Sequence, residues 1–151
     1  MLAKLFVTEN DAALTVLRLA FGLIFFPHGA QKMLGWFGGR GFIGYEHYLM
    51  QVRGIPAPLA VLAILVEFFG ALGLILGLLS RVAALGIATN MVTAISLVHV
   101  HFGFFMNWNG DKAGEGMEFC LMAIAVGVLV IIKGSGALSL DRVIFARYWA
   151  R

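Results

Sequence analysis

Charge is scarce in this sequence. Charged residues make up 13% of it, where a soluble domain carries about 25%. That excludes an ordinary solvated surface. Hydrophobic residues reach 61%, and mean hydropathy is +0.93. The formal charge of +3 comes from scattered Lys and Arg. No basic patch forms, so no nucleic-acid partner is indicated. Cysteine is nearly absent. Cys120 stands alone, which excludes an intrachain disulfide and a CxxC redox pair. No small-residue cleavage site follows the first apolar run, so that run reads as a retained span and not a signal peptide.

What is present is apolar length. A helix needs about 20 mostly apolar residues to cross a bilayer. Four segments meet this, at residues 12–34, 58–79, 82–102 and 118–132. The fourth is short by count. The expected fold is all-α: an integral membrane four-helix bundle forming a single domain over 1–151. Ser80 and Arg81 read as a tight connection between spans two and three. In the glycine-rich stretch after span one, Phe42, Tyr45, Leu49 and Val52 recur at helical spacing. They predict a short interfacial helix in the first outer loop. Pro58 suits the first turn of span two. The C-terminal tail reads as a basic amphipathic segment. Val143, Ile144 and Tyr148 would lie on the membrane, and Arg142, Arg147 and Arg151 would face lipid phosphates.

Four spans put both termini on one side. Lys4, Arg81, Lys133, Arg142, Arg147 and Arg151 fall there. Lys32, Arg40, Arg53 and Lys112 fall on the other. The basic excess favours cytoplasmic termini. Gly70, Gly73, Gly77, Gly86 and Asn90 suit close helix packing. The glycine face of span two also suits packing against a second copy, so a homo-oligomer is expected.

The costly residues inside these spans are Arg18, His28, Gln31, Lys32, Glu67, His99, His101 and Glu118. An ionised side chain at mid-membrane costs about 2.5–3.5 kcal/mol on insertion scales, so such groups seek partners inside the bundle. Helical rise puts Glu67 roughly 13–14 Å and His28 roughly 9 Å from the outer ends of their spans. The outer half is thus expected to gather His28, Gln31, Lys32, Glu67, a span-three histidine and Glu118. Pro27 removes one helix hydrogen bond and can kink span one. Histidine ordinarily titrates near neutrality, so His28 reads equally as a helix-bonding group or as a binding and proton-transfer group. Lys32 reads as an interface anchor or as part of a pocket mouth. Arg18 shares a stripe with Gly22, Phe25, Gly29 and Lys32, and its expected partner is Glu67. His99 and His101 point to opposite sides of a helix, so a shared metal is not expected. Glu118 suits the start of span four, where a carboxylate meets the helix dipole.

The motifs "LRLAFGLIFFPHGAQKMLG", "GGRGF", "GIPAPLAVLAILVEFFGALGLILGLLSRVAAL", "HFGFFMNWNG", "GEGMEFCLMA" and "GSGALSLDR" occur in that order. Together they resemble the DoxX family of small four-span membrane proteins. The family's recurring polar positions match Arg18, His28, Gly29, Lys32, Glu67 and Glu118. The resemblance implies a subunit of a bacterial oxidoreductase system in the cell inner membrane. No flavin motif or paired-histidine haem pattern is present, so no intrinsic cofactor is expected. Electron transfer then needs a redox partner subunit or a bound quinone. Whether the chain is itself an enzyme stays open. The alternative is a non-enzymatic assembly or chaperone-like factor, or a small-solute transporter, in which the polar set holds the bundle or lines a path.

Overall fold

The structure is a computed structural model and describes residues 3–149. Every regular element among them is helical: α1 (Ala3–Phe6), α2 (Ala12–Met33), α3 (Gly41–Gln51), α4 (Ala57–Leu76), α5 (Ser80–Leu97), α6 (Glu118–Lys133) and α7 (Leu140–Tyr148). Short 3-10 turns lie at Trp36–Gly38 and His99–Phe102. Three helices, α2, α4 and α5, are long and apolar enough to cross a membrane. α6 is apolar but has 16 residues, a rise of about 24 Å. Large apolar side chains such as Val16, Leu59, Phe69, Leu85 and Met122 are left exposed on the outer faces of the helices. Soluble monomers seldom expose so much apolar surface.

α2 packs on α4, α4 on α5, and α5 on α6, while α6 returns to α2 over a shorter contact. The helices alternate in direction, so the bundle has two distinct ends. At the terminal end α1 meets α7, and Phe6 stacks on Trp149 with centroids 5.4 Å apart. At the loop end lie α3 and the segment 103–117. The buried core gathers Phe21 and Phe25 from α2, Ala71 and Leu74 from α4, Ala84, Ile87 and Met91 from α5, and Cys120, Ala123 and Val130 from α6.

Glycine decides how closely α2 and α4 approach. A Cβ at Gly29 would lie 2.7 Å from the Phe68 Cα, and one at Gly22 would lie 2.9 Å from the Ile75 nitrogen. At Gly29 only backbone is met, and at Gly22 backbone together with the Ile75 side chain. Both glycines lie on the stripe that carries Arg18 and Lys32, and this stripe faces α4. The glycines of α4 are likewise used within the chain. Gly70 faces Ile87, Gly73 faces the Leu78 carbonyl and Ala83, and Gly77 faces Ser139. The expected self-packing through that face is therefore corrected, because the face is already covered.

Several expected boundaries move for local reasons. α4 ends at Leu76 because Gly77 adopts a left-handed conformation at φ 66°. The Leu78 N–H then reaches back to the Gly73 carbonyl at 2.8 Å, closing the helix end. The connection to α5 is Gly77–Leu79, and Ser80 and Arg81, expected as the joint, already belong to α5. α5 stops at Leu97, because Val98 leaves helical geometry (φ −132°, ψ −65°). The expected third span ran on to residue 102. The first loop does hold a helix, α3. Its Phe42, Tyr45 and Leu49 pack with Ala60 and Ile64 of α4, while Val52 lies beyond its end and is exposed. In the tail, Arg142 and Arg147 belong to α7 and Arg151 lies outside the described residues.

Gly29→Ala should destabilise the chain by about 1–3 kcal/mol, as overpacking does. A lower melting temperature in detergent would show it. Unchanged melting would mean that the close α2–α4 approach is not a constraint.

Candidate functional site

Two separate polar assemblies occupy the two ends of the bundle. The first closes the terminal end around Arg18. This side chain is 1% exposed. Its Nε donates to the Ser135 carbonyl at 2.8 Å and its Nη2 to the Leu138 carbonyl at 2.7 Å. Its Nη1 donates to the carbonyls of Leu74 and Ile75. The last carbonyls of a helix have no partner within it, and a cation suits that end of the dipole. Arg18 therefore caps α4. The expected Arg18–Glu67 ion pair is corrected: the guanidinium reaches carbonyls at the end of α4, and Glu67 pairs elsewhere.

Arg81 repeats the device. It donates to the carbonyls of Ile131 and Ile132 near the end of α6 and, at 3.0 Å, to that of Val7. Asp141 does the converse at the start of α5. Its carboxylate accepts from the N–H groups of Leu79 at 2.7 Å and Ser80 at 3.0 Å, and from the Ser135 hydroxyl. Asp141 was not singled out in the sequence. One signal pointed to it: it is the only acid after Glu118.

The second assembly is a cavity of about 350 Å³ toward the loop end. Its wall takes residues from α2, α3, α4, α5, α6 and the 103–117 segment. The polar members include His28, Lys32, Tyr48, Arg53, Glu67, Asn90 and His99; much of the rest is apolar, with Phe25, Met91 and Phe119 among it. Lys32 Nζ lies 2.6 and 2.5 Å from the two Glu67 oxygens. Glu67 is 3% exposed. Lys32 thus turns inward and does not only anchor the interface. Its ammonium also lies 5.1 Å from the Tyr45 ring centroid. His28 sits where α2 meets α6, with its ring 6.1 Å from Phe25 and 5.9 Å from Phe119. Asn90 donates to the Ala63 carbonyl at 2.8 Å and so joins α5 to α4 at the cavity wall.

The remaining expected site residues are dispersed. His99 reaches the wall, with Nδ1 2.8 Å from the Glu115 carbonyl oxygen. His101 is exposed. Among the described residues, no group of three or more His, Cys, Asp or Glu lies close enough to hold a metal. Gln31 lies outside the cavity and donates to the Phe37 carbonyl at 3.3 Å. Glu118 is not part of the wall either. It accepts from the Met106 N–H at 3.0 Å and the Trp108 indole at 3.1 Å, and so pins the 103–117 segment. Arg53 and Tyr48 were missed. Arg53 donates to the Tyr48 hydroxyl at 2.8 Å, a contact made across the end of α3 that no sequence spacing announces.

A bundle of long apolar helices with a polar cavity among them defines a multi-pass membrane protein with a candidate ligand site. The family model for DoxX matches residues 13–100, and the chain belongs to that family. It is 30% identical over 136 residues to Inner membrane protein YqjF of Escherichia coli, covering 89% of this chain and 94% of the relative. It is 31% identical over 143 residues to Inner membrane protein YphA of the same organism, covering 91% and 94%. A Bacillus subtilis protein named Putative oxidoreductase CatD is 27% identical over 130 residues, covering 86% and 85%. No solved structure matches the chain.

Lys32→Met should cost about 3–5 kcal/mol, because it leaves the Glu67 carboxylate buried and unpaired. Adding Glu67→Leu should recover most of that loss, because an apolar pair of similar volume removes the stranded charge. Thermal unfolding of the two variants in detergent checks both. A double variant no more stable than the single one would contradict the pairing.

Proposed function

We propose that this chain is a membrane subunit of a quinone-linked oxidoreductase system, and that its cavity takes the quinone ring. The observation that carries this is the convergence of His28, Lys32 and Glu67 on a largely apolar cavity. Its volume falls within the range of small-molecule sites, about 300–1,000 Å³. The donor set fits: a flat ring bearing two carbonyl oxygens needs apolar walls and a few hydrogen-bond donors. Phe25 and Phe119, whose rings stack 5.8 Å apart, offer the walls. His28 and Lys32 offer the donors.

A bound quinone would supply two-electron redox chemistry coupled to the uptake of two protons. His28 would orient a ring oxygen and hold a proton for it. Glu67 keeps the Lys32 ammonium in place and balances its charge. Phe25 and Phe119 keep water from one side of the site. Electrons would come from a partner subunit. The name of the Bacillus subtilis relative supports an oxidoreductase setting.

The membrane placement follows the same reading. α6 runs from the loop end, where Glu118 binds the 103–117 segment, to the terminal end, where the Glu9 N–H donates to the Lys133 carbonyl at 3.3 Å. It is the fourth span. Both ends of the chain then share one side, and the basic excess there assigns that side to the cytoplasm. The names of the Escherichia coli relatives support the inner membrane. α3 lies at the outer interface, and α7 rests its exposed Val143 and Tyr148 on the inner one.

Native mass spectrometry of gently released protein, with quinone extraction alongside, tests the function. Retained quinone is expected, with affinity falling about five- to tenfold in His28→Ala for the loss of one hydrogen bond. A bare chain holding only phospholipid, with partner activity indifferent to His28→Ala, would shift the reading to an assembly factor or solute transporter.

A further inference from the structure

The contact between α2 and α6 differs from the other helix contacts. α2 meets α4 through Gly22 and Gly29, and the backbones touch. Toward α6 it presents large residues, and the two helices stand apart. Between them runs an apolar slot of about 140 Å³, lined by Leu17, Ala20 and Ile24 of α2 and by Met122, Ala123 and Val126 of α6. These positions recur three and four apart on each helix, so each side of the slot is a single helical stripe. The floor is buried: Ala123 is 5% exposed. The rim is open: Ile24 is 52% exposed and Met122 63%. The slot therefore opens sideways, where acyl chains would lie, and not toward either end of the bundle.

The slot and the cavity adjoin, with the stacked Phe25 and Phe119 rings between them. Phe25 and Phe119 line both. His28 stands beside this pair, at the mouth of the cavity. The slot thus leads from the membrane side of the bundle to two aromatic rings, and the polar groups lie directly behind them. These groups carry matched charge, because the Lys32 ammonium is taken up by Glu67. Arg53, across the cavity, donates to the Tyr48 hydroxyl, and Glu115 on the same wall matches its charge in number.

We infer that the α2–α6 slot holds the single hydrocarbon chain of a membrane-dissolved ligand with an uncharged ring, which enters sideways past Phe25 and Phe119. The inference rests on the cavity being the ring site proposed above, and it names the part of that ligand which the cavity does not explain. One stripe on each helix gives room for one chain, not two. A neutral ion pair at the inner end suits a carbonyl-bearing ring better than a phosphate. Ala20 sets the width of the slot, because it is the smallest side chain on the open α2 side.

The test titrates the full chain in lipid nanodiscs with two benzoquinones of identical ring, one carrying a decyl chain and one without. Binding is read by calorimetry for the wild type, for Ala20→Trp in the slot and for Ala125→Trp on α6 outside it. Ala20 is exposed, so the larger side chain does not disturb the core. Ala20→Trp should weaken the decyl compound about tenfold, since the indole takes the space in which the chain packs against the two helices. The chainless ring should bind Ala20→Trp as it binds the wild type, and Ala125→Trp should change neither. If Ala20→Trp binds the decyl compound normally while both rings bind the wild type, the slot assignment falls and the ring site stands. Loss of both compounds in Ala20→Trp would place Ala20 in support of the ring site and also overturn the slot. If the wild type binds neither, the quinone reading itself fails, and this inference with it. A phospholipid retained by the wild type and lost in Ala20→Trp, with decyl binding unchanged, would assign the slot to bilayer lipid instead.

Discussion

The carbonyl groups at the end of a membrane helix have little water to turn to, and each one left unpaired costs several kcal/mol. Much of the terminal end of this protein is arranged around that constraint. Arg18 closes α4, Arg81 closes α6, and Asp141 covers the N–H groups that open α5. None of these caps comes from the helix it serves. Arg18 comes from α2, Arg81 from α5 and Asp141 from α7. Capping and tertiary assembly are therefore the same event here. The segment 134–139 is drawn in as well, because Ser135 and Leu138 give their carbonyls to Arg18. Gly136 in the same segment takes a hydrogen bond from Thr8 to its carbonyl and donates its N–H to the Thr8 hydroxyl at 2.6 Å. Within the knot the Ser80 hydroxyl, alone among the described buried side-chain polar atoms, has no partner.

This division of labour frees the other end. Five helices and a loop converge there without the same knot of caps, and the result is a cavity. Lys32 and Glu67, next to it, pair with each other across α2 and α4 and do not close helix ends. Gly29 makes the pairing possible. By letting α2 lie against the backbone of α4 at Phe68, it brings position 32 within reach of position 67. Gly22 does the same for Arg18 and the end of α4. One stripe of α2 thus serves both assemblies, with its two glycines placed between its two cations. The neighbouring stripe has no such glycines toward α6, and there the slot remains.

Much of this was legible from residue order alone. The number and positions of the apolar segments gave the helices. The rarity of charge inside them marked Arg18, His28, Lys32 and Glu67 as groups that must find partners. The helical spacing of Phe42, Tyr45 and Leu49 announced α3. Asn90 suits contact between helices, and it joins α5 to α4 through the Ala63 carbonyl. What was not legible was which partner each group would take. By depth alone Arg18 and Lys32 are both plausible mates for Glu67. The length of an arginine and the end of α4 at Gly77 decide it, because they put carbonyls within reach of Arg18 first.

The sequence by itself determined that this chain is helical, belongs in a membrane and carries more ionisable groups than its apolar faces can hold singly. These are local properties: hydropathy and periodicity act within a segment, whatever its neighbours. The tertiary structure alone decided that the charges divide into a structural knot and a cavity wall. It also decided that His101, Gln31 and Glu118 stand apart from His28 and Glu67, and that α2 and α6 leave a slot. Those outcomes depend on which helix faces meet and how closely. The close contacts are set by glycines on one helix matching backbone on another, a relation between segments that no single segment contains.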